Sequence, residues 1–238
     1  MKCYGLIGHP LGHSFSKKYF TEKFENEHLN CCYLNFDFNN ISMLPHLLEQ
    51  HPDLCGFNVT VPYKEAVIPY LDEMDPAAVE VGAVNTVKEL PNGKLKGFNT
   101  DVVGLEQYPI LQPALILGTG GASKAVQYVL RKHNVNYHLV SRDAVRGDYS
   151  YRSLTADVIR DHRVIVNATP VGMFPQVDDS PMIPYEALTP QHVLIDLVYN
   201  PEETLFLRKG RERGAVTFNG LRMLYGQAEA SWAIWNRV

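Results

Sequence analysis

The sequence predicts two open α/β domains, each with a mainly parallel sheet, and three observations carry that expectation. Short apolar runs of strand length alternate with helix-period segments through both halves of the chain. The pattern restarts at ALILG (114–118), after a first set of strands and helices is complete. A glycine-rich turn, GTGGAS (118–123), then joins that strand to an amphipathic helix. Open sheets of this kind bind ligands beyond the C-terminal ends of their strands, so two of them are expected to enclose a cleft.

The elements follow in order. CYGLIG (3–8) reads as a buried strand, with Gly8, Pro10 and Gly12 forming the loop after it. Ser16 is suited to cap a helix whose Phe20 and Phe24 share a face. LNFDFN (34–39) alternates as a half-exposed strand, SMLPHLLEQ (42–50) reads as a helix, and LCGFNV (54–59) as another strand. Pro62 fits the first turn of a helix, which would set Lys64 just past a strand end at a helix N-terminus. AVNTVKEL (83–90), the turn PNG (91–93) and LKGFNT (95–100) read as a hairpin.

In the second half the helix after the glycine-rich turn runs to about His133, with Ala125, Val126, Val129 and Leu130 on one face. YHLVS (137–141), RVIVNAT (163–169), VLIDLV (193–198) and AVTFN (215–219) are strands. Asn200, Pro201, Glu202 and Glu203 have the cap, proline and acids of a helix start, and the chain from Leu221 onward is helical.

The 238 residues are enough for one large or two modest domains, and 45% hydrophobic with 20% charged residues is ordinary globular composition. A net charge of −4 with no Lys/Arg run gives no footprint for nucleic acid or an anionic membrane, so the expected partners are small molecules, in a monomer or homodimer. Cys3, Cys31, Cys32 and Cys55 form no C-x-x-C pair and read as reduced, mostly buried thiols. The N-terminus lacks a signal-peptide core and no apolar stretch approaches bilayer length, so a cytoplasmic location is expected. His9 and His13 are four apart, but Pro10 and Gly12 exclude the helix that would aim both at a metal, and no metal is expected. Met173, Trp232 and Trp235 read as core; Met223, near Gly220, is the exception that could line a nicotinamide pocket.

The turn at 118–123 carries the first functional expectation. Gly118 permits the tight turn, while Gly120 and Gly121 let the backbone approach a pyrophosphate at the helix N-terminus. Ser123 stands where the third fingerprint glycine belongs. The next strand ends about 20 residues on at SRDAVR (141–146), where Arg142 and Arg146 can grip the 2′-phosphate of NADP. Asp143 opposes that choice, because a carboxylate repels the phosphate and an acid here suits NAD.

A second expectation concerns two charges. Lys64 follows FNVT and Asp101 follows GFNT; if both strands end at the cleft, the two become a proton-transfer pair. Ser14, Ser16, Asn58, Thr60, Asn85, Asn99 and Thr100 lie at or just past strand ends and suit a polyhydroxylated ligand.

Eight ordered motifs then make the chain resemble the shikimate dehydrogenase family along nearly its whole length: GHPLGHSFS (8–16), GFNVTVPYK (56–64), GAVNT (82–86), GFNTD (97–101), GTGGASKA (118–125), NATPVGM (167–173), DLVYNP (196–201) and GLRMLYGQAEASW (220–232). The resemblance implies NADPH-dependent reduction of 3-dehydroshikimate to shikimate, on the way to chorismate and the aromatic amino acids. It implies Lys64 and Asp101 as the catalytic pair, either of which could carry the proton. Ser14, Ser16, Thr60, Asn85, Asp101 and Gln227 would bind substrate, with Tyr199 beside it. Gly118, Thr119, Gly120, Gly121, Ala122, Ser141, Arg142 and Arg146 would hold NADP(H), with Leu197 and Gly220 near the nicotinamide. A substrate-binding domain of residues 1–103, completed by the helix 221–238, would flank a Rossmann-like NADP-binding domain of residues 104–220. Lys17, Phe20 and Thr21 depart from the family pattern after the second serine, and Asp143 replaces a usual Thr. Two other readings stand beside this one: an NAD-using quinate/shikimate dehydrogenase, and a non-catalytic relative that senses ligand.

Overall fold

The strand runs sort into two six-stranded sheets, one in each of two units. The computed structural model describes residues 1–237 apart from positions 13, 111 and 144, so His13 lies outside the described residues. The units are Met1–Thr100 with Ala228–Val238, and Asp101–Gln227.

The first unit contains β1 (Lys2–Gly8), α1 (Phe15–Asn26), β2 (Cys31–Asp37), α2 (Leu44–Gln50), β3 (Leu54–Val59), β4 (Glu73–Met74), α3 (Pro76–Val81), β5 (Thr86–Glu89) and β6 (Leu95–Phe98). Its sheet has the order β2-β1-β3-β5-β6-β4. Only β5 opposes its neighbours, so β1, β3 and β6 all end at one edge of the sheet, and β5 begins there. Both faces are covered, which is why β1 is buried almost from end to end. Cys3, Ile7, Phe57, Val59 and Leu44 lie in one core cluster. Tyr4, Phe20, Phe24, Tyr33 and Trp235 fill another, with Tyr4 stacked on Trp235 at 4.7 Å and Phe20 on Tyr33 at 4.7 Å.

The second unit contains α4 (Asp101–Leu105), β7 (Ala114–Leu117), α5 (Gly121–Lys132), β8 (Tyr137–Ser141), β9 (Tyr149–Ser150), α6 (Ala156–Asp161), β10 (Val164–Asn167), β11 (Val193–Asp196), α7 (Leu205–Glu212) and β12 (Val216–Phe218). The order β12-β11-β10-β7-β8-β9 is parallel throughout, the doubly wound Rossmann arrangement with its switch point between β7 and β10. Ala125, Val126, Val129 and Leu130 of α5 are all fully buried, as their spacing predicts. A last helix, α8 (Leu221–Asn236), begins in this unit and ends in the first.

Several local expectations are corrected. Ser14, not Ser16, caps α1, its Oγ accepting from the Lys17 N–H at 3.2 Å. No helix starts at Pro62. The Tyr63 N–H closes a turn on the Thr60 carbonyl at 2.9 Å, and the Lys64 carbonyl accepts from the Val84 N–H at 2.7 Å, which takes it away from a helical ladder. Nor does Asn200 cap a helix, because its carbonyl accepts from the Phe174 N–H; Thr204 caps α7 instead. Only Cys3 is buried among the cysteines; Cys31 and Cys32 lie on β2, the edge strand, and are partly exposed, as is Cys55. Met173 is 43% exposed rather than core.

Candidate active site

One edge of the first sheet gathers most of the residues expected on the substrate side. Ser14 follows β1, Thr60 and Lys64 follow β3, Asn85 immediately precedes β5, and Asn99 and Thr100 follow β6. The register brings their strands level, with Ile7 opposite Val59, Asn58 opposite Thr86, and Thr86 opposite Phe98. Ser14 and Ser16 are half-buried at the start of α1.

The turn carrying Lys64 is fixed at several points. Thr60 N–H donates to the Ile7 carbonyl at 2.9 Å, and the buried Tyr63 hydroxyl donates to the Phe38 carbonyl at 2.6 Å. Together with the bond from Val84, these hold the Lys64 backbone while its side chain stays half-exposed. Asp101 is 4% exposed and opens α4, where a carboxylate meets the positive end of the helix. Gln227 is buried on α8 and donates Nε2–H to the Leu224 carbonyl at 2.9 Å.

Not every polar residue of the expected set is available to a ligand. Asn58 accepts from the Tyr33 hydroxyl at 2.8 Å and donates to the Asn85 carbonyl at 3.2 Å, so it is part of the protein's own network. Asn99 donates to the Ala83 carbonyl at 2.9 Å, while its buried Oδ1 has no partner among the described residues. Two residues escaped the sequence reading. Thr86 and Ser231 are fully buried hydroxyls 2.8 Å apart. Ser231 had one available signal, its place one helical turn after Gln227.

The second unit has the features that a dinucleotide requires. Gly118 adopts φ +106°, a left-handed conformation, and a Cβ there would lie 2.8 Å from Thr169 Cγ2 at the end of β10. A Cβ on Gly120 would project into open space, and no side chain caps the N-terminus of α5, so its N–H groups remain for a phosphate. Ser123, replacing the third glycine, is buried and accepts from Gln127 Nε2 at 3.2 Å. Gly220 packs against the Leu197 carbonyl so closely that a Cβ would overlap it, which brings the two nicotinamide-side candidates together. Tyr199 is exposed after β11.

The loop after β8 shows what engages Asp143. Ser141 Oγ accepts from the Asp143 N–H at 3.1 Å, and Asp143 Oδ1 accepts from the Val145 N–H at 3.0 Å. Its Oδ2 lies 3.7 Å from Arg146 Nε. The carboxylate therefore closes its own turn and faces an arginine, while Arg142 is exposed.

A parallel 3-2-1-4-5-6 sheet with an uncapped glycine-rich strand–turn–helix at its switch point defines a Rossmann-type dinucleotide-binding protein. Residues 6–87 match the model of the shikimate dehydrogenase substrate binding domain. An NADP(+) shikimate dehydrogenase from Methanococcus maripaludis is 38% identical, across 98% of this chain and 91% of the relative. The shikimate dehydrogenase of Thermus thermophilus, solved with NADP(H) and shikimate, superimposes with TM-score 0.88 at 33% identity, covering 99% of this chain and 94% of that one. The quinate dehydrogenase of Corynebacterium glutamicum, solved with NAD, also gives 0.88, at 29% identity over 99% and 93%. This chain belongs to the shikimate dehydrogenase family.

Proposed function

We propose that the protein interconverts 3-dehydroshikimate and shikimate with NADP(H), on the route to chorismate. The supporting observation is the joint presence of a turn that fixes Lys64 and an uncapped α5 N-terminus followed by the SRDAVR loop, in a chain similar throughout to NADP(+) shikimate dehydrogenases. The unit Met1–Thr100 with Ala228–Val238 is assigned to the substrate and Asp101–Gln227 to the cofactor. The protein works as a cytoplasmic monomer or homodimer on small molecules. No helix among the described residues is long and apolar enough to cross a membrane.

Bound NADPH would supply the hydride for the C3 carbonyl carbon. As the C=O π bond breaks, Lys64 and Asp101 share the tasks of stabilising the developing alkoxide and delivering its proton. Ser14, Ser16, Thr60, Asn85, Asp101 and Gln227 hold the hydroxyls and carboxylate, with Tyr199 against the ring. Gly118, Thr119, Gly120, Gly121 and Ala122 would hold the pyrophosphate, Ser141, Arg142 and Arg146 would take the adenosine phosphate, and Leu197 and Gly220 would lie on the nicotinamide side.

The test is absorbance at the reduced-nicotinamide band with purified protein, shikimate or quinate, and NADP+ or NAD+. Rapid reduction with shikimate and NADP+ alone is the expected result. Preference for NAD+ with quinate would select the quinate dehydrogenase reading, and ligand binding without turnover would select a sensor.

A further inference from the structure

Behind the edge of the first sheet, three buried hydroxyls form a closed triangle. Thr86 Oγ1 lies 2.8 Å from Ser231 Oγ and 3.0 Å from Thr100 Oγ1, and Ser231 Oγ lies 3.2 Å from Thr100 Oγ1. Asn58 Nδ2 donates into it, 2.9 Å from Ser231 Oγ and 3.1 Å from Thr86 Oγ1. Each of these side chains is at most 3% exposed, so none exchanges its partners for water.

Two members of the triangle, Thr100 and Thr86, reach one atom, Asn85 Oδ1, and Ser231 backs them both. That oxygen accepts from the Thr100 N–H at 2.7 Å, from Thr100 Oγ1 at 3.1 Å and from Thr86 Oγ1 at 3.3 Å. A carbonyl oxygen has two lone pairs, so a backbone N–H and a hydroxyl fill it. The orientation of the amide follows from chemistry: turned over, it would set an NH2 group against the Thr100 N–H, donor against donor.

We infer that Thr86 and Ser231 are positioning residues that keep the Asn85 oxygen engaged by the protein, so that Asn85 meets a ligand through its donor end and recognises an acceptor atom, a hydroxyl or carboxylate oxygen, and never a donor. This rests on the assignment of Asn85 to substrate binding. Thr86 and Ser231 act from behind, one from β5 and one from α8, without themselves meeting the ligand.

Two readouts test the arrangement independently. In 15N-labelled protein without ligand, the side-chain amide of Asn85, assigned by its disappearance in Asn85→Asp, is expected to be as rigid as the backbone. Thr86→Val, which removes the hydroxyl at constant shape, is expected to lower its order parameter, Ser231→Ala to lower it as well, and Thr86→Ser to restore it. In steady-state kinetics Thr86→Val is expected to raise the KM for shikimate about tenfold, with the KM for NADP+ within about twofold and Thr86→Ser close to wild type. An Asn85 amide as rigid in Thr86→Val and Ser231→Ala as in wild type would overturn the inference. So would a lowered melting temperature with an unchanged shikimate KM, which is the mark of a purely structural network. Should Thr86→Val fail to fold, Ser231→Ala gives the same two readouts. Wild-type protein that does not oxidise shikimate, yet shows the expected loss of amide order in the variants, would sink the assigned substrate and leave the positioning role standing.

Discussion

Asn167 and Asp196 are direct partners across β10 and β11, and the Asn167 amide donates to Asp196 Oδ1 at 2.9 Å. Asp196 also accepts from the Val198 N–H at 3.0 Å and the Thr204 hydroxyl at 2.5 Å. Burial nonetheless pushes its pKa up from 3.8 to about 6, against the opposing pull of these three bonds. The folded state therefore holds a proton that the unfolded chain releases nearer pH 4, so the stability from this group is full below pH 4 and is lost as pH rises through about 6. Urea melts between pH 4 and 7 should show wild type losing roughly 2–3 kcal/mol relative to Asp196→Asn. A difference that does not vary with pH would mean that the carboxyl is not protonated in the fold.

The backbone around Lys64 is held by the Val84 N–H and the Tyr63 turn, both of which act on the main chain. Lys64→Ala is accordingly expected to fold, to bind NADPH within about twofold of wild type, and to lose at least about two orders of magnitude in kcat. Fluorescence titration with NADPH beside steady-state rates checks this. A parallel loss of cofactor affinity and rate would point to collapse of the structure.

The loop after β8 makes a sharp prediction about cofactor choice. Arg142→Ala should lower kcat/KM for NADP+ by about tenfold or more and leave the NAD+ value nearly unchanged. Asp143→Asn should change the NADP+ value by less than about threefold, because Asp143 is turned into its own loop and toward Arg146. A gain above about tenfold for NADP+ in Asp143→Asn would show that the carboxylate faces the phosphate.

Gly118→Ala combines a φ of +106° with a Cβ 2.8 Å from Thr169 Cγ2. The expected cost is about 1–3 kcal/mol of stability, with a weaker NADP+ Kd by calorimetry, because the turn and the end of β10 must separate. Unchanged melting and affinity would show that the turn relaxes freely.

Periodicity and strand–turn–helix order made most of the fold legible. LCGFNV and YHLVS match β3 and β8 residue for residue, and the buried face of α5 follows its apolar spacing. The errors arose where local propensity met a distant hydrogen bond. Pro62 and Asn200 both look like helix starts, yet the carbonyls of Lys64 and Asn200 are taken by Val84 and Phe174, which no local pattern reveals. Most of the residues proposed for the substrate side stand as polar groups just past strand ends, a position the strand pattern already indicated. Thr86 and Ser231 were not legible, because a serine in an amphipathic helix and a threonine in a strand are ordinary until the tertiary fold sets them 2.8 Å apart. Asp143 was legible as a charge but not as a turn closure, since direction depends on the loop's own backbone bonds.

The helix α8 has a bearing on how the chain is made. Its residues from Ala228 onward belong with Met1–Thr100, where Trp235 donates to the Val87 carbonyl at 2.9 Å and Ser231 completes the hydroxyl triangle. The first unit synthesised is thus the last one able to finish, waiting through the whole of Asp101–Gln227 for its closing segment. On a ribosome the contiguous second unit can mature while the earlier sheet still exposes the apolar face that Trp235 covers, so the nascent chain carries an aggregation hazard in the earlier of these two units.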